Sequence, residues 1–401
     1  MPGHQNPAES EPPIRYLTTD GSPTLTAQRR GLDIQLARNL YRDMMRARRL
    51  DTESLALARQ GELNLWLMSW GQEAAQVGSV HALRGTDMIF PSYREHAVAL
   101  CRGLTPAQIL TQWRGCAHAG WESGGTHHMH INSLVLGTQT LHAVGYATGA
   151  VMERTDEVVT VYFGDGAASQ GDVNEALNWA AAAQLPVLFF CQNNQWAIST
   201  PASLQMRMPL HRRAAGFGLR SYHVDGNDAL AVHAVTSEAA AHIRAGGGPV
   251  FIEAFTYRRG GHSTSDDPGR YRDDHELKLW ESRDPLARVR AFLEGQGVEE
   301  GFFARLDREC DAFAEQVRTD CRAISPRRAS AARSCVISWI ASANVLSLAL
   351  PGSIRPLTSF STSRTPGPSS ATTGVRAAIA SASTIPCVSD CELNANRSMA
   401  V

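Results

Sequence analysis

The run Gly164-Asp165-Gly166-Ala167-Ala168-Ser169-Gln170-Gly171, followed near thirty residues later by Asn193-Asn194, restricts the fold of this chain more than any other stretch. A β-rich segment, residues 157–163, leads into Gly-Asp-Gly, and a helical run through residues 174–182 follows it. A second apolar strand, residues 186–191, ends in Gln192-Asn193-Asn194. Asp165 and Asn194 are therefore expected just past the carboxyl ends of two strands joined by a helix. In an open parallel sheet that edge is where ligands bind. One carboxylate and one amide oxygen are hard donors, suited to a Mg²⁺ that keeps positions for phosphate oxygens. The glycines let backbone N–H groups approach a diphosphate closely.

The flanking sequence extends this unit. Residues 221–224 form a third apolar strand, closed by Asp225-Gly226-Asn227-Asp228, and Asn227 or Asp228 caps a helix running to Ala245. Gly246-Gly247-Gly248-Pro249 breaks that helix, and residues 250–255 are a fourth strand. Upstream, residues 32–60 carry Leu36, Leu40, Met44 and Met45 at helical spacing, a second helix starts within residues 70–78, and residues 87–90 are strand-like. Strands alternating with helices predict an α/β fold, a doubly covered and mostly parallel sheet with right-handed crossovers. Residues 1–33, with prolines at 2, 7, 12, 13 and 23, are expected to be an extended arm. Residues 34–323 form the main domain, helical from Asp284 to Ala323. From about Pro326 the chain has no lysine, two acidic residues and seven arginines, with serine, alanine, threonine and proline dominant. Residues 324–401 have the composition of a disordered tail or of an out-of-frame translation of GC-rich DNA; the second reading is preferred.

Bulk properties exclude several classes. The 401 residues are 43% hydrophobic, enough for a buried core, and the formal net charge of −1 argues against a general nucleic-acid binder. No apolar run reaches the length of a membrane span, and the first residues lack a signal-peptide core. The expected location is cytoplasmic. The eight cysteines form no CxxC pair, so neither a zinc ribbon nor a disulfide framework is indicated.

Two loops carry further candidates. Residues 114–130 are rich in glycine and contain His127, His128 and His130. Three histidines in four residues invite a metal, but no carboxylate or cysteine ligand accompanies them at the usual spacing; a loop facing a substrate channel is the better reading. Residues 258–272 are long, polar and charged, and directly follow a strand's carboxyl end, where loops tend to carry function.

The Gly-Asp-Gly…Asn-Asn pair is similar to the thiamine-diphosphate fingerprint. It is accompanied, in order, by Tyr93-Arg94-Glu95, Leu136-Gly137-Thr138-Gln139, Asn193-Asn194-Gln195-Trp196-Ala197-Ile198-Ser199 and His262-Ser263-Thr264-Ser265-Asp266-Asp267. Together, over roughly residues 15–323, they resemble the α subunit of the E1 component of 2-oxo acid dehydrogenase complexes. The resemblance implies the diphosphate-binding half of the thiamine-diphosphate fold. It implies that Asp165, Asn194 and the Trp196 carbonyl ligate Mg²⁺, and that Tyr93 and Arg94 hold the diphosphate. Gly164, Gly166 and Ala167 would lie against the phosphates, and Leu136 would keep the cofactor bent. Ser133, Thr138 and Gln139 fall where some relatives bind K⁺. His262 matches the active-site histidine on the channel loop and also contacts the cofactor, and His128 matches a second channel histidine. An Asp266–Arg272 contact would help order the loop, and Ser263 and Ser265 match serines phosphorylated in some relatives.

The activity implied is oxidative decarboxylation of a small 2-oxo acid, followed by acyl transfer to the lipoyl domain of an E2 acyltransferase. The implied assembly is an α2β2 heterotetramer in which the E1 β subunit supplies the pyrimidine half of the site. The arm around Arg15-Tyr16-Leu17 and the His-Ser-Thr-Ser-Asp-Asp wording favour a branched-chain substrate such as 3-methyl-2-oxobutanoate. A pyruvate or acetoin dehydrogenase α subunit is the alternative, and a non-catalytic subunit is a second if the tail blocks assembly. Three departures stand out. Gln192 replaces an arginine frequent in branched-chain relatives, Leu134 stands near a position that is serine in some relatives, and the tail after Ala323 does not match.

Overall fold

The computed structural model of the chain describes residues 8, 11–123 and 125–324. Among these, the strands in chain order are β1 (Met88–Phe90), β2 (Val159–Gly164), β3 (Val187–Asn193), β4 (Trp196–Ala197), β5 (Thr200–Pro201), β6 (Arg220–Asp225) and β7 (Val250–Phe255). The central sheet has the spatial order β1-β2-β3-β7-β6 and is parallel throughout. β4 and β5 form a small antiparallel hairpin just after β3.

The register sets Val161 beside Phe189 and Phe189 beside Phe251, so each strand contributes alternate residues to the two faces. Val159, Val161, Phe163, Val187, Phe189 and Phe251 enter one core, under helices Thr138–Glu153, Gly171–Ala182 and Leu210–Gly216. Tyr162, Leu188, Phe190, Val250 and Ile252 enter the other, under helices Ile34–Arg59, Glu73–His81 and Ala229–Arg244. Burial on both faces is why these strands read as continuous apolar runs rather than alternating ones. Phe189 and Phe190 are both fully buried, on opposite faces. Truncating either to alanine would cost about 3–5 kcal/mol.

Both sheet edges carry an extra bridge. On the β1 edge, Ile89 N donates to His128 O (2.9 Å) and His130 N to Ile89 O (2.7 Å), so residues 128–130 extend the ladder. On the β6 edge, Ile14 N donates to His223 O (2.8 Å) and Asp225 N to Ile14 O (3.0 Å). Extra pairing of this kind blunts an edge that would otherwise template association.

The arm differs from the expectation of an extended segment. Residues around Ile14 are extended, but Leu25–Arg30 is a short helix. The Thr24 side chain accepts from Ala27 N, and Gly31 (φ 72) ends the helix. The last proline, Pro23, precedes the cap, where it restricts only the residue before it. Asp228, not Asn227, caps the helix Ala229–Arg244, accepting from Ala231 N (3.1 Å). The same carboxylate accepts from Tyr16 N (2.7 Å) and Leu17 N (2.6 Å), which fastens the arm to the sheet. Helices Pro285–Gly295 and Glu300–Ala323 occupy the expected helical region. The tail reading for residues 324–401 lies outside the described residues from 325 onward. Among the described residues, no helix is long and apolar enough to cross a membrane.

Candidate functional site

The carboxyl ends of β1, β2 and β3 deliver residues 92–95, 164–167 and 192–198 to one side of the sheet. There they line a cavity of about 150 Å³, together with Gln72, Leu136 and His262. Tyr93, Arg94, Leu136, Gly164, Asp165, Gly166, Ala167, Asn194, Trp196 and His262 were all singled out from sequence, and the fold brings all of them to this wall. The lining also includes Gln72, Ser92, Glu95, Ala197 and Ile198, to which the sequence reading gave no role, and Gln192, which entered it only as a departure.

At the sheet end, Asp165 is 1% exposed. Its Oδ1 accepts from Asn194 N (3.2 Å) and its Oδ2 from Gln205 Nε2 (3.4 Å). Burial pushes its carboxyl up to about 6, and the nearby Arg258 only partly offsets this. A buried carboxylate with no cation in contact is in a setting that a metal ion would relieve. Asn194 Oδ1 accepts from Trp196 N (3.2 Å), and the Trp196 carbonyl accepts from Arg258 Nη1 (3.2 Å). Each oxygen keeps a second lone pair for a ligand. Gly166 sits against the hairpin: a Cβ there would meet Ala197 Cβ at 2.7 Å. No larger residue fits without displacing β4.

The cavity is as receptive to an anion as to a cation. Arg94 and Arg258 are 6% and 0% exposed, and among the described residues neither has a carboxylate partner within salt-bridge range. Arg94 Nη1 donates to Met68 O (2.6 Å) and Nη2 to His262 O (3.0 Å). Arg258 Nη2 donates to Ile198 O (2.7 Å) and Tyr271 Oη (2.9 Å). Two buried guanidinium groups held by neutral partners leave net positive charge where a phosphate would sit. Ile198 itself has φ 55, rare for a β-branched residue, and such strain clusters at ligand sites. A carboxylate, an amide oxygen and a carbonyl beside two unneutralised guanidiniums suit a magnesium diphosphate.

His262 closes the far end. Burial, then the charges of Arg94 and Arg258, hold its imidazole well below the usual range. Arg94 Nη2 lies 3.4 Å from His262 Nδ1. A guanidinium cannot accept, so Nδ1 is the acceptor and the ring proton sits on Nε2. The neutral ring therefore carries a donor at the nitrogen away from Arg94. The loop is fixed by side chains: Asp266 Oδ2 accepts from His262 N (2.6 Å) and from the Tyr271 hydroxyl. The expected Asp266–Arg272 contact is replaced. Arg272 instead donates to the carbonyls of Gly260 (3.2 Å), Arg259 (2.7 Å) and Arg258. Tyr271 outcompetes it because its hydroxyl can serve Asp266 and Arg258 together.

Glu95 is 3% exposed, and burial pushes its carboxyl up to about 7. Gln192 Nε2 donates to Glu95 Oε1 (2.6 Å), and Gln192 Oε1 accepts from Gln76 Nε2 (3.1 Å). Both ends of the Gln192 amide are thus committed inside the wall.

His128 does not reach this wall. It lies in a turn at φ 46, and its carbonyl joins the β1 edge. Among the described residues, the one trio with metal-ligand spacing is Asp43, His81 and Cys101, not the histidines at 127–130. Asp43 there is already paired with His81 (2.8 Å) and flanked by Arg42 and Arg46. Gln139 donates to Tyr162 O (3.0 Å), while its Oε1 is buried without a partner; Ser133 Oγ donates to Val135 O (3.0 Å).

Comparison with known proteins was made on this basis. The family described as Dehydrogenase E1 component matches residues 41–322. The chain is 46% identical over 312 residues to the 3-methyl-2-oxobutanoate dehydrogenase subunit alpha of Mycobacterium tuberculosis, covering 77% of this chain and 84% of that protein. It is 38% identical over 281 residues to the 2-oxoisovalerate dehydrogenase subunit alpha of Bacillus subtilis, covering 67% and 84%. With the human mitochondrial 2-oxoisovalerate dehydrogenase subunit alpha it shares 39% identity over 271 residues, 64% of this chain and 60% of that protein.

Proposed function

The chain belongs to the dehydrogenase E1 component family, and from that membership and the cavity we infer an α subunit of a branched-chain 2-oxo acid dehydrogenase. It is an acyl-transferring 2-oxo acid dehydrogenase subunit that depends on thiamine diphosphate. It works with a β subunit and passes its product to an E2 component. The observation that carries the reading is convergence: ten residues named from sequence, spread from Tyr93 to His262, line one cavity at the sheet's carboxyl edge.

Asp165, Asn194 Oδ1 and the Trp196 carbonyl would hold Mg²⁺. Tyr93, Arg94 and the backbone at Gly166 and Ala167 would hold the diphosphate. The bound cofactor supplies the electron sink that lets a 2-oxo acid lose CO₂. This chain's contribution is to orient the cofactor and to manage charge and protons around it. Leu136, which lines the cavity, would present an apolar surface to the cofactor. Arg94 and Arg258 stabilise negative charge in a site removed from water. His262, neutral and protonated on Nε2, donates to a developing oxyanion and handles the proton during acyl transfer. The partner would form an α2β2 heterotetramer and supply the other half of the site, and the acceptor would be the lipoyl domain of E2.

Gln139 Oε1, a buried acceptor with no donor, supports K⁺ binding with Ser133 and Thr138. A thermal midpoint that rises in potassium but not in tetramethylammonium chloride supports this; identical midpoints contradict it. The functional reading is tested by reconstituting the chain with its β subunit. Turnover of 3-methyl-2-oxobutanoate well above that of pyruvate is expected, and the reverse order would transfer the assignment to a pyruvate dehydrogenase. A methylene is worth only about 1–3 kcal/mol in an apolar pocket and the two substrates differ by two carbons, so the preference is expected to be at most about 10⁴-fold.

A further inference from the structure

Gln72 lines the same cavity at 1% exposure. Its Nε2 is the only buried side-chain nitrogen or oxygen among the lining residues without a hydrogen-bond partner. The orientation of its amide follows from the neighbouring bonds. Trp196 N can only donate, so the atom of Asn194 that it meets at 3.2 Å is Oδ1. Asn194 Nδ2 is then the donor toward Gln72, and the atom it meets at 3.1 Å is Oε1. Gln72 Nε2 is left with two N–H groups and nothing to receive them.

The fold keeps that donor free. Gln72 is the N-cap of helix Glu73–His81 but makes no side-chain capping bond. The neighbouring Glu73 instead ties down the turn before the helix: its Oε2 accepts from Gly71 N (2.9 Å) while its Oε1 accepts from Arg48 Nε (2.7 Å). A buried amide donor with no acceptor is destabilising, and a ligand that brings an acceptor would relieve it. Its contact with Asn194 puts Gln72 at the metal end of the cavity, where the ligand oxygens are anionic. Gln192 Nε2, by contrast, already has an acceptor, Glu95 Oε1 at 2.6 Å.

We propose that Gln72 is a further cofactor-binding residue, donating from Nε2 to a diphosphate oxygen in place of the cationic contact that Gln192 lacks. The proposal rests on the thiamine-diphosphate reading above. It also gives Gln72 a positioning duty, because its Oε1 fixes the rotamer of Asn194.

The test is calorimetric titration of magnesium thiamine diphosphate into the purified α–β complex, with competition by magnesium inorganic diphosphate. Gln72→Glu keeps the acceptor for Asn194 and removes the donor. It is expected to weaken both ligands about 10- to 100-fold, the effect of one hydrogen bond to a charged group, and to recover affinity as pH falls and the new carboxyl is protonated. Gln72→Met removes donor and acceptor without adding charge, and is expected to weaken both ligands without that pH dependence. It also serves if the first variant does not fold. Affinities within twofold of wild type for a folded variant would overturn the role of Gln72, as would an effect confined to the KM for the 2-oxo acid. Failure of the unaltered complex to bind thiamine diphosphate would instead overturn the cofactor reading itself.

Discussion

The two ends of the cavity are built differently. At the sheet end, polar groups are set by backbone: Asn194 N donates to Asp165 and Trp196 N to Asn194, both within three residues of β3. At the other end, His262 stands on a loop held by side chains, through Asp266, Tyr271 and Arg258. The first end is rigid because the ladder that positions it is part of the core. The second depends on a few hydrogen bonds that can be remade. A site that must hold a cofactor permanently and admit a large acyl acceptor repeatedly needs both kinds of construction.

The sharpest contrast comes from single substitutions at the two ends. Asp165→Ala removes the carboxylate of the proposed metal site and is expected to abolish Mg²⁺-dependent cofactor binding; near-normal affinity by calorimetry would refute the metal role. His262→Ala leaves the sheet end intact. Cofactor affinity should stay within about threefold, while acylation of lipoyl groups falls by about 10²–10⁴, the range for loss of a general acid–base group. Equal losses of binding and turnover in both variants would erase the distinction between the ends.

The pH profile separates them further. The role proposed for His262 needs its neutral form, and its lowered pKa means that protonation occurs only as pH falls well below 6.5. Acyl transfer should therefore not decline on the acid side until below the ordinary histidine range. Titration of the His262 ring itself near 6.5, followed by NMR, would show that Arg94 and Arg258 do not act on it; Asp165 and Glu95, pushed up to about 6 and about 7, also titrate in this cavity. A smaller effect is expected from Tyr271→Phe, which deletes a hydroxyl serving both Asp266 and Arg258. About 1 kcal/mol of local stability is at stake, visible as faster proteolysis within residues 260–272 with an almost unchanged global melt.

The same contrast explains what the sequence revealed. Asp165, Asn194, Tyr93 and Arg94 were legible because strand ends tie a short motif to a fixed place. The parallel sheet was legible because strands buried on both faces read as apolar runs. The Asp266 partner was not legible: tyrosine and arginine are both within reach in sequence, and only three-dimensional packing chooses. Gln72 and Glu95 were missed because their roles come from hydrogen bonds across about a hundred residues, to Asn194 and Gln192. The signal available for Gln72 was Trp70-Gly71-Gln72-Glu73, a glycine turn entering a helix whose first residue is acidic. His128 drew notice through its neighbours in sequence, whereas pairing along β1 decides where it lies. In the arm, the prolines outweighed the capping signal of Thr24, although Pro23 precedes the cap and does not oppose it.

On the proposed function, this chain supplies the diphosphate end of the site and only begins the reacting end. Decarboxylation of 3-methyl-2-oxobutanoate, measured for the purified chain with saturating thiamine diphosphate and Mg²⁺, tests it directly. No turnover above background is expected from the chain alone, with activity appearing on addition of the β subunit. Sustained turnover by the chain without a partner would contradict it.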